Sequence, residues 1–160
     1  MAPFFPRALP EFGLRGGYDF DTGSGSLGAD LRLPLGPRGA LALAPSGDVF
    51  FNGPGHDWQL NLDGELRLPR SGLYGGGGAA FIHHAFRDVV ITPGLGESFE
   101  RETRVGWNLF AGLESSARLP LRPYVETRWT FHGSDYSAFR LAAGLHVPIG
   151  PRARAFRRRQ

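Results

Sequence analysis

The chain has 160 residues, enough for one domain with a real core, and its lack of cysteine excludes disulfides and thiolate metal sites. Its net charge is +3, but five of its 18 basic residues lie in the last nine positions, which leaves 13 arginines against 15 acidic residues. No stretch approaches the roughly 20 apolar residues of a transmembrane helix. We therefore divide the chain into a leader (1–10), a slightly acidic body (11–150) and a basic tail (151–160).

Apolar residues alternate with polar ones through most of the body, which is the period of a β-strand with two unlike faces. Eight segments follow this pattern, at about 11–22, 24–35, 39–52, 58–68, 72–86, 103–116, 122–132 and 137–149. The fourth is the clearest, because Trp58, Leu60 and Leu62 lie on one face and Asn61 and Asp63 on the other. Helical periodicity does not compete over any long segment.

Two of these strands are less certain than the rest. Pro45 and Gly47 interrupt the third strand and indicate a bulge. The fifth contains Gly75 to Gly78, so its facing is ambiguous. No Lys-Ser/Thr and no helix follow these glycines, so they are not a phosphate loop. We interpret them as residues that let the strand bend or give room to large neighbours.

The connections between strands are of two kinds. Short turns marked by proline follow Leu31–Pro34, Leu66–Pro69 and Ala117–Pro120. The other connections are longer, more acidic and more polar, and the longest is 87–102. This difference predicts a meander of antiparallel hairpins with two unlike ends.

The polar face of the strands carries six acidic residues and six arginines, interleaved with glycines. These are Arg15, Asp19, Asp30, Arg32, Asp63, Glu65, Arg67, Arg104, Glu114, Glu126, Arg128 and Arg140. A water-facing surface has no need of such balance, whereas a narrow interior does, because buried charges are tolerated only when paired. The other face is almost purely apolar. A sheet can span lipid only as a closed barrel, since every backbone group must be satisfied within the protein.

The sequence therefore predicts an all-β protein, a closed eight-stranded antiparallel up-and-down transmembrane barrel with an interior ion-pair network. The alternative is a soluble, lipocalin-like barrel that carries an apolar ligand, with its leucines inward. Eight strands enclose only enough space for their own side chains, so a structural network is favoured over an open channel.

The chain resembles the small eight-stranded outer-membrane barrels of Gram-negative bacteria, the group of the OmpA transmembrane domain and OmpX, over residues 11–150. The likeness lies in strand count, hairpin asymmetry, the charged interior and the last strand, Phe139-Arg-Leu-Ala-Ala-Gly-Leu-His-Val-Pro-Ile149, which is similar to the family's assembly signal. The family ends this strand on an aromatic residue, whereas Ile149 stands here, followed by an arginine-rich tail. The start of the chain also lacks the features of a signal peptide, so a signal has been removed or another route is used. The resemblance implies a bacterial outer-membrane location and the lipid bilayer as a partner.

Candidate catalytic and metal-binding residues are few. His132-Gly-Ser134-Asp135 weakly resembles the His-x-Ser-Asn motif of outer-membrane lipid A deacylases, but no carboxylate follows at the position that would orient it. We interpret it as a turn and expect no enzyme activity, with a lipid-modifying enzyme as the alternative. His83 and His84 point to opposite faces of a strand and cannot share an ion. His56 with Asp57, and His132, leave a metal site in the loops open, although we expect no metal and no cofactor.

Recognition, if the protein has it, is expected in the longest loop. The 87–102 segment combines length with apolar residues, namely Val89, Val90, Ile91 and Phe99. The arginines of the tail could bind anionic headgroups or acidic partners, or form a solvated tail. We expect no nucleic-acid partner. The sequence thus predicts an outer-membrane barrel with a structural, adhesion-like or assembly role, in which a protein partner would use this loop or the tail.

Overall fold

A computed structural model describes residues 9–35, 39–52, 55–68, 71–86, 100–115, 121–133 and 137–150. These residues form eight strands and no helix: β1 Glu11–Asp19, β2 Ser24–Leu35, β3 Leu41–Asn52, β4 Gly55–Arg67, β5 Leu73–Phe86, β6 Glu100–Glu114, β7 Arg122–Phe131 and β8 Ser137–Pro148. In this part of the chain, no helix is long and apolar enough to cross a membrane. The predicted leader and tail fall on residues 1–10 and 151–160, which lie outside the described residues except for positions 9 and 10.

Each strand pairs antiparallel with its sequence neighbour, and β1 pairs with β8, so the sheet closes into a barrel. Closure runs over nine residue pairs, with Leu14 opposite Leu145 and Arg15 opposite Gly144. Closure leaves no unpaired sheet edge. The predicted fold, a closed eight-stranded antiparallel up-and-down barrel, is confirmed.

Alternation along the strands sends apolar side chains outward and charged ones inward. In β1, Leu14 is 59% exposed while its neighbour Arg15 is 5% exposed. In β4, Leu62 is 51% exposed while Asp63 is completely buried. A soluble barrel would show the opposite pattern, with leucines inside. The lipocalin-like alternative is wrong on this point, since its ligand would need an apolar interior.

The bulge predicted at Pro45 is absent, because β3 pairs with β4 in one continuous register from Leu41 to Asn52. Proline has no N–H to donate to a neighbouring strand, so β3 loses hydrogen bonds on the side that faces β2. There, pairing with β2 is interrupted between Leu43 and Ser46. The third strand therefore accepts Pro45 by losing bonds to one neighbour, without inserting a residue.

The ambiguous glycines of β5 alternate like the residues around them. Tyr74 and Ala80 are buried and Leu73 and Phe81 are exposed, so Gly76 lies on the inner face. A Cβ there would collide with the backbone of Gly64 and with the Phe110 ring. Only glycine fits at position 76, because the Gly64 backbone and the Phe110 ring lie too close for a side chain.

The barrel has two unlike ends. The turn end carries the connections 36–40, 68–72 and 115–121, and the loop end carries 20–23, 53–54, 87–99 and 132–136. The predicted difference in length is found for 87–99 but is wrong for 20–23 and 53–54, which are shorter than the turn-end connections. At the turn end Gly72 has a φ of +75°, and a Cβ on it would strike the carbonyl oxygen of Glu114. Only glycine adopts this conformation readily, which explains the tight turn between β4 and β5.

Candidate functional site

The interior at the turn end is a cluster of three arginines and three glutamates, which we call the turn-end cluster: Glu11, Arg32, Glu65, Arg67, Glu114 and Arg122. Arg32 lies at its centre, with its guanidinium 3.1 Å from Glu11, 2.8 Å from Glu65 and 2.5 Å from Glu114. The planar fork of arginine suits such multiple carboxylate contacts. Each charge therefore has an opposite partner across the lumen.

His146 extends this cluster toward the middle of the barrel. Its Nδ1 lies 2.9 Å from Glu114 Oε2, and its Nε2 lies 2.8 Å from Asp30 Oδ2. Where both carboxylates are ionised, both ring nitrogens donate to them, as only the imidazolium does. Arg32 Nη1 also lies 3.2 Å from Nδ1. His146 and Asp30 then add one positive and one negative charge, and the turn-end region stays balanced.

A second group of six charges lies in the middle of the lumen, the central cluster: Arg15, Asp48, Asp63, Glu126, Arg128 and Arg140. Arg15 donates through Nε and Nη2 to the two oxygens of Asp48, at 2.8 and 2.7 Å. Arg140 Nη1 lies 3.0 Å from the same carboxylate. Arg128 lies 2.6 Å from Asp63 and 3.1 Å from Glu126.

Buried aromatic rings fill the space between the two clusters. Tyr74 and Tyr124 donate hydrogen bonds to Glu126 and Asp30, at 3.3 and 3.1 Å. Tyr124 also stacks on the His146 ring at a centroid distance of 4.2 Å. Opposite each tyrosine in the register stands a glycine, Gly112 or Gly144, where a Cβ would overlap the tyrosine ring. Gly112 and Gly144 thus leave the space that the two tyrosine rings occupy.

Toward the loop end the charges give way to amides and then to a cavity. Asn61 Oδ1 accepts from Gln59 at 2.6 Å and from Asn108 at 2.8 Å, and Thr130 donates to Asn108 at 2.8 Å. Above this layer opens a cavity of about 280 Å³, which we call the vestibule. His84, Asp57 and Arg104 are among the polar residues that line it.

The structure places ten of the twelve residues predicted for the ion-pair network in the two clusters or their Asp30–His146 link. The other two lie elsewhere. Asp19 accepts hydrogen bonds from the backbone N–H groups of Asp21 and Thr22, so it caps the turn after β1. Arg104 lines the vestibule and is exposed.

Sequence analysis missed four members of the network: Glu11, Asp48, Arg122 and His146. Glu11 and Arg122 are the first residues of their strands, where the alternating pattern gives the least support. Asp48 lies in β3, between Gly47 and Val49, in the strand whose pattern was interrupted. His146 is in register with the inner face of β8, and that position alone could have identified it.

The predicted recognition residues Val89, Val90, Ile91 and Phe99 lie outside the described residues. The same holds for Ser134 and Asp135, whereas His132 is buried and lines the vestibule.

One group in the turn-end region brings three metal-ligand atoms together. Oxygens of Glu11 and Glu114 and a nitrogen of His146 lie within 4.8 Å of one another. Arg32 and Arg122 already contact these two glutamates, and a divalent cation would have to displace them. The donor set therefore fits an arginine network and does not fit a metal ion.

These features define a class of protein, the closed eight-stranded barrels with an apolar exterior and a polar interior, which is the fold of transmembrane β-barrels. The chain is similar to the N-terminal β-barrel domain of Pseudomonas aeruginosa OprF, with a TM-score of 0.65 and 16% identity over 89% of this chain and 98% of that one.

It is also similar to two designed proteins. One is the transmembrane barrel TMB2.3, solved by solution NMR, with a TM-score of 0.57 and 16% identity over 94% of this chain and 100% of that one. The other is a chain from the de novo design of transmembrane β-barrels, with a TM-score of 0.54 and 12% identity over 89% and 97%. No protein-family model matches the chain, and no curated protein matches it. The likeness is one of fold, and it agrees with the resemblance inferred from the strands.

Proposed function

We propose that this protein is a bacterial outer-membrane barrel that does not conduct and has a structural, adhesion-like or assembly role. In this proposal the barrel is an anchor in the bilayer, and the loops carry any binding. The outward leucines and the inward charges support the membrane setting.

The observation that carries the proposal is the closure of the lumen. Between the turn-end and central clusters, the cavity lined by Arg15, Arg32, Glu65 and Glu126 has a volume of about 10 Å³. That is room for about one water molecule. A channel would need a continuous aqueous path, and here two charge-balanced layers lie across it.

The proposal also assigns the interior no catalytic role. Its charged side chains face one another in ion pairs, and none of these contacts resembles a nucleophile held by a base. The vestibule holds His132, but the motif that included it continues into Ser134 and Asp135, outside the described residues. An assay of lipid A acylation with wild-type protein and His132→Ala tests the enzyme alternative, and we expect equal acylation.

Conductance in planar bilayers tests closure of the lumen. The purified barrel, checked for folding by heat-modifiable gel migration, is expected to give no steady single-channel current. The double variant Arg15→Ala with Asp48→Ala removes the Arg15–Asp48 ion pair and the contact of Asp48 with Arg140, together with the bulk of both side chains. It is the matched control, for which we expect current. A stable current from the wild-type protein would overturn the proposal, as would purification of a folded monomer without detergent.

The loop assignment has a separate test. Replacing Val89, Val90, Ile91 and Phe99 with serine should leave the heat-modifiable migration unchanged and reduce adherence of cells that produce the protein. Serine substitutions of the lipid-facing Leu60 and Leu62 should instead affect folding. If adherence is the same with and without the loop substitutions, the loop has no adhesive role.

A further inference from the structure

The vestibule is a cup at the loop end of the barrel, above the amide layer. Its floor is formed by Gln59 and Thr130, and its walls include Phe50 and Ile82. Several ionisable side chains line it. They include Asp57 from β4, His84 from β5, Arg104 from β6 and His132 directly after β7, with Asp19 and Asp21 at the end of β1. The lumen below is closed, so anything that enters the vestibule must come from the loop side.

Asp57 and His84 form a hydrogen-bonded pair in this cup. His84 Nδ1 lies 3.0 Å from Asp57 Oδ2, and the two residues lie on adjacent strands. A carboxylate on one ring nitrogen fixes the tautomer and the orientation of an imidazole, and it makes the other nitrogen a better metal ligand. With Nδ1 bound to Asp57, coordination by His84 would use Nε2.

His132 lies beside His84 at a distance that suits a shared ion. The centroids of the two rings are 6.1 Å apart, with their planes at 51°. Zn–N bonds of about 2.0–2.1 Å place the centroids of two imidazoles on one ion roughly 5 to 6 Å apart. The two rings are therefore close enough for one ion to contact a nitrogen of each after side-chain rotation. The cavity of about 280 Å³ leaves space for water as further ligands.

We propose that the vestibule binds one divalent transition-metal ion, such as Zn²⁺ or Ni²⁺, through the imidazoles of His84 and His132, with Asp57 orienting His84. Imidazole ligands select these metals over Ca²⁺ and Mg²⁺, which prefer oxygen. The adjacent His83 is the matched control. It lies on the outer face, stacked on Trp58 and bonded to Thr103.

Calorimetric titration of the detergent-solubilised full chain with ZnCl₂ tests the site. We expect one bound ion per barrel, with the same affinity, for the wild-type protein and for His83→Gln. His84→Gln and His132→Gln should each weaken binding at least 10-fold. Asp57→Asn should weaken it about 10- to 100-fold, the usual effect of losing an orienting carboxylate. MgCl₂ should give no heat of binding under the same conditions.

Histidine NMR of the wild-type protein gives a second measurement that needs no variant. Addition of Zn²⁺ should shift the imidazole ¹⁵N resonances of His84 and His132 and leave those of His83 and His146 in place. The proposal is overturned if His84→Gln and His132→Gln bind Zn²⁺ like the wild-type protein, if His83→Gln loses binding equally, or if neither vestibule histidine shifts.

Discussion

Asp48 is the residue on which the central cluster depends most. It accepts two hydrogen bonds from Arg15 and contacts Arg140, whose Nη1 and Nη2 have no hydrogen-bond partner among the described residues. Arg140 also stands directly opposite Arg128 in the β7–β8 ladder, which places two like charges side by side. Such pairs are destabilising unless carboxylates offset them, and Asp48 is the carboxylate within reach of Arg140.

Removing that carboxylate should be costly. We expect Asp48→Asn to lower the free energy of unfolding by about 3–5 kcal/mol, because it removes the carboxylate that Arg140 contacts and leaves Arg15 with Glu126 at 3.8 Å. Urea unfolding of the barrel in lipid vesicles, followed by tryptophan fluorescence, measures this. Ser46→Ala is the control, since it removes two hydrogen bonds to a neutral acceptor, from Arg15 and from Asn61, both at 3.0 Å, and should cost only about 2 kcal/mol. Adding Arg140→Met to Asp48→Asn should recover part of the loss. Equal effects of Asp48→Asn and Ser46→Ala would contradict the role of Asp48.

Gly144 makes a second prediction at the scale of one residue. A Cβ at this position would meet the Tyr124 ring at 2.7 Å and also the carbonyl oxygen of Leu14. Gly144→Ala should therefore destabilise the barrel by about 1–3 kcal/mol, the usual cost of overpacking. Gly16→Ala, on the outer face of neighbouring β1, would meet its nearest atom at 3.8 Å and should change stability by less than about 0.5 kcal/mol. The same unfolding assay compares the two, and an equal response would show that ring packing does not require glycine.

At the scale of the strands, the sequence predicted best where polar and apolar residues alternate without interruption. β2 was predicted as about 24–35 and is found at Ser24–Leu35, and β4 has the facing that its leucines indicated. The alternating pattern did not predict the facing of β5, because its glycines have no preference for either face of a sheet. It was misleading at Pro45, because a proline in the sequence does not reveal which neighbouring strand loses its hydrogen bond. Ion pairs across the lumen, such as Arg32 with Glu114, depend on closure and were not readable from any single strand.

The facing of β4 gives a prediction for the strand as an element. A charged residue on the lipid-facing side costs about 2–4 kcal/mol at the bilayer midplane and about 0–1 kcal/mol near the interface. Leu62 lies near the middle of β4 and Leu68 directly follows its end, and both are about half exposed. Leu62→Arg should therefore destabilise the vesicle-inserted barrel by about 2–4 kcal/mol, and Leu68→Arg by about 0–1 kcal/mol. Urea titrations in the same vesicles measure both, and similar small effects would place this face in water.

At the scale of the whole barrel, the outer surface is asymmetric along its axis. The three tryptophans lie toward the loop end. Trp58 stacks on His83, Trp107 stacks on Phe131, and the Trp129 ring lies 5.0 Å from the Phe139 ring with the planes at 41°. The turn end has leucines in the corresponding positions, with Phe12 as its exposed aromatic residue. Tryptophan rings favour the boundary between lipid tails and headgroups. The tryptophans at the loop end thus mark one lipid–headgroup interface, and the leucine-rich part of the outer surface extends from there across the hydrocarbon layer.

This asymmetry predicts where the tryptophans reside in a bilayer. Reconstituted into vesicles of brominated phosphatidylcholine, the protein should be quenched more by bromines close to the headgroup than by bromines near the end of the acyl chain. Trp58→Phe, Trp107→Phe and Trp129→Phe, made in pairs, leave one reporter each, and all three should give the same order. As a matched control, Leu62→Trp in the triple phenylalanine background places a reporter at mid-strand and should reverse that order. Preferential quenching of the native tryptophans by the deep bromines would mean that the loop end lies inside the hydrocarbon, because quenching by bromine acts only at close range.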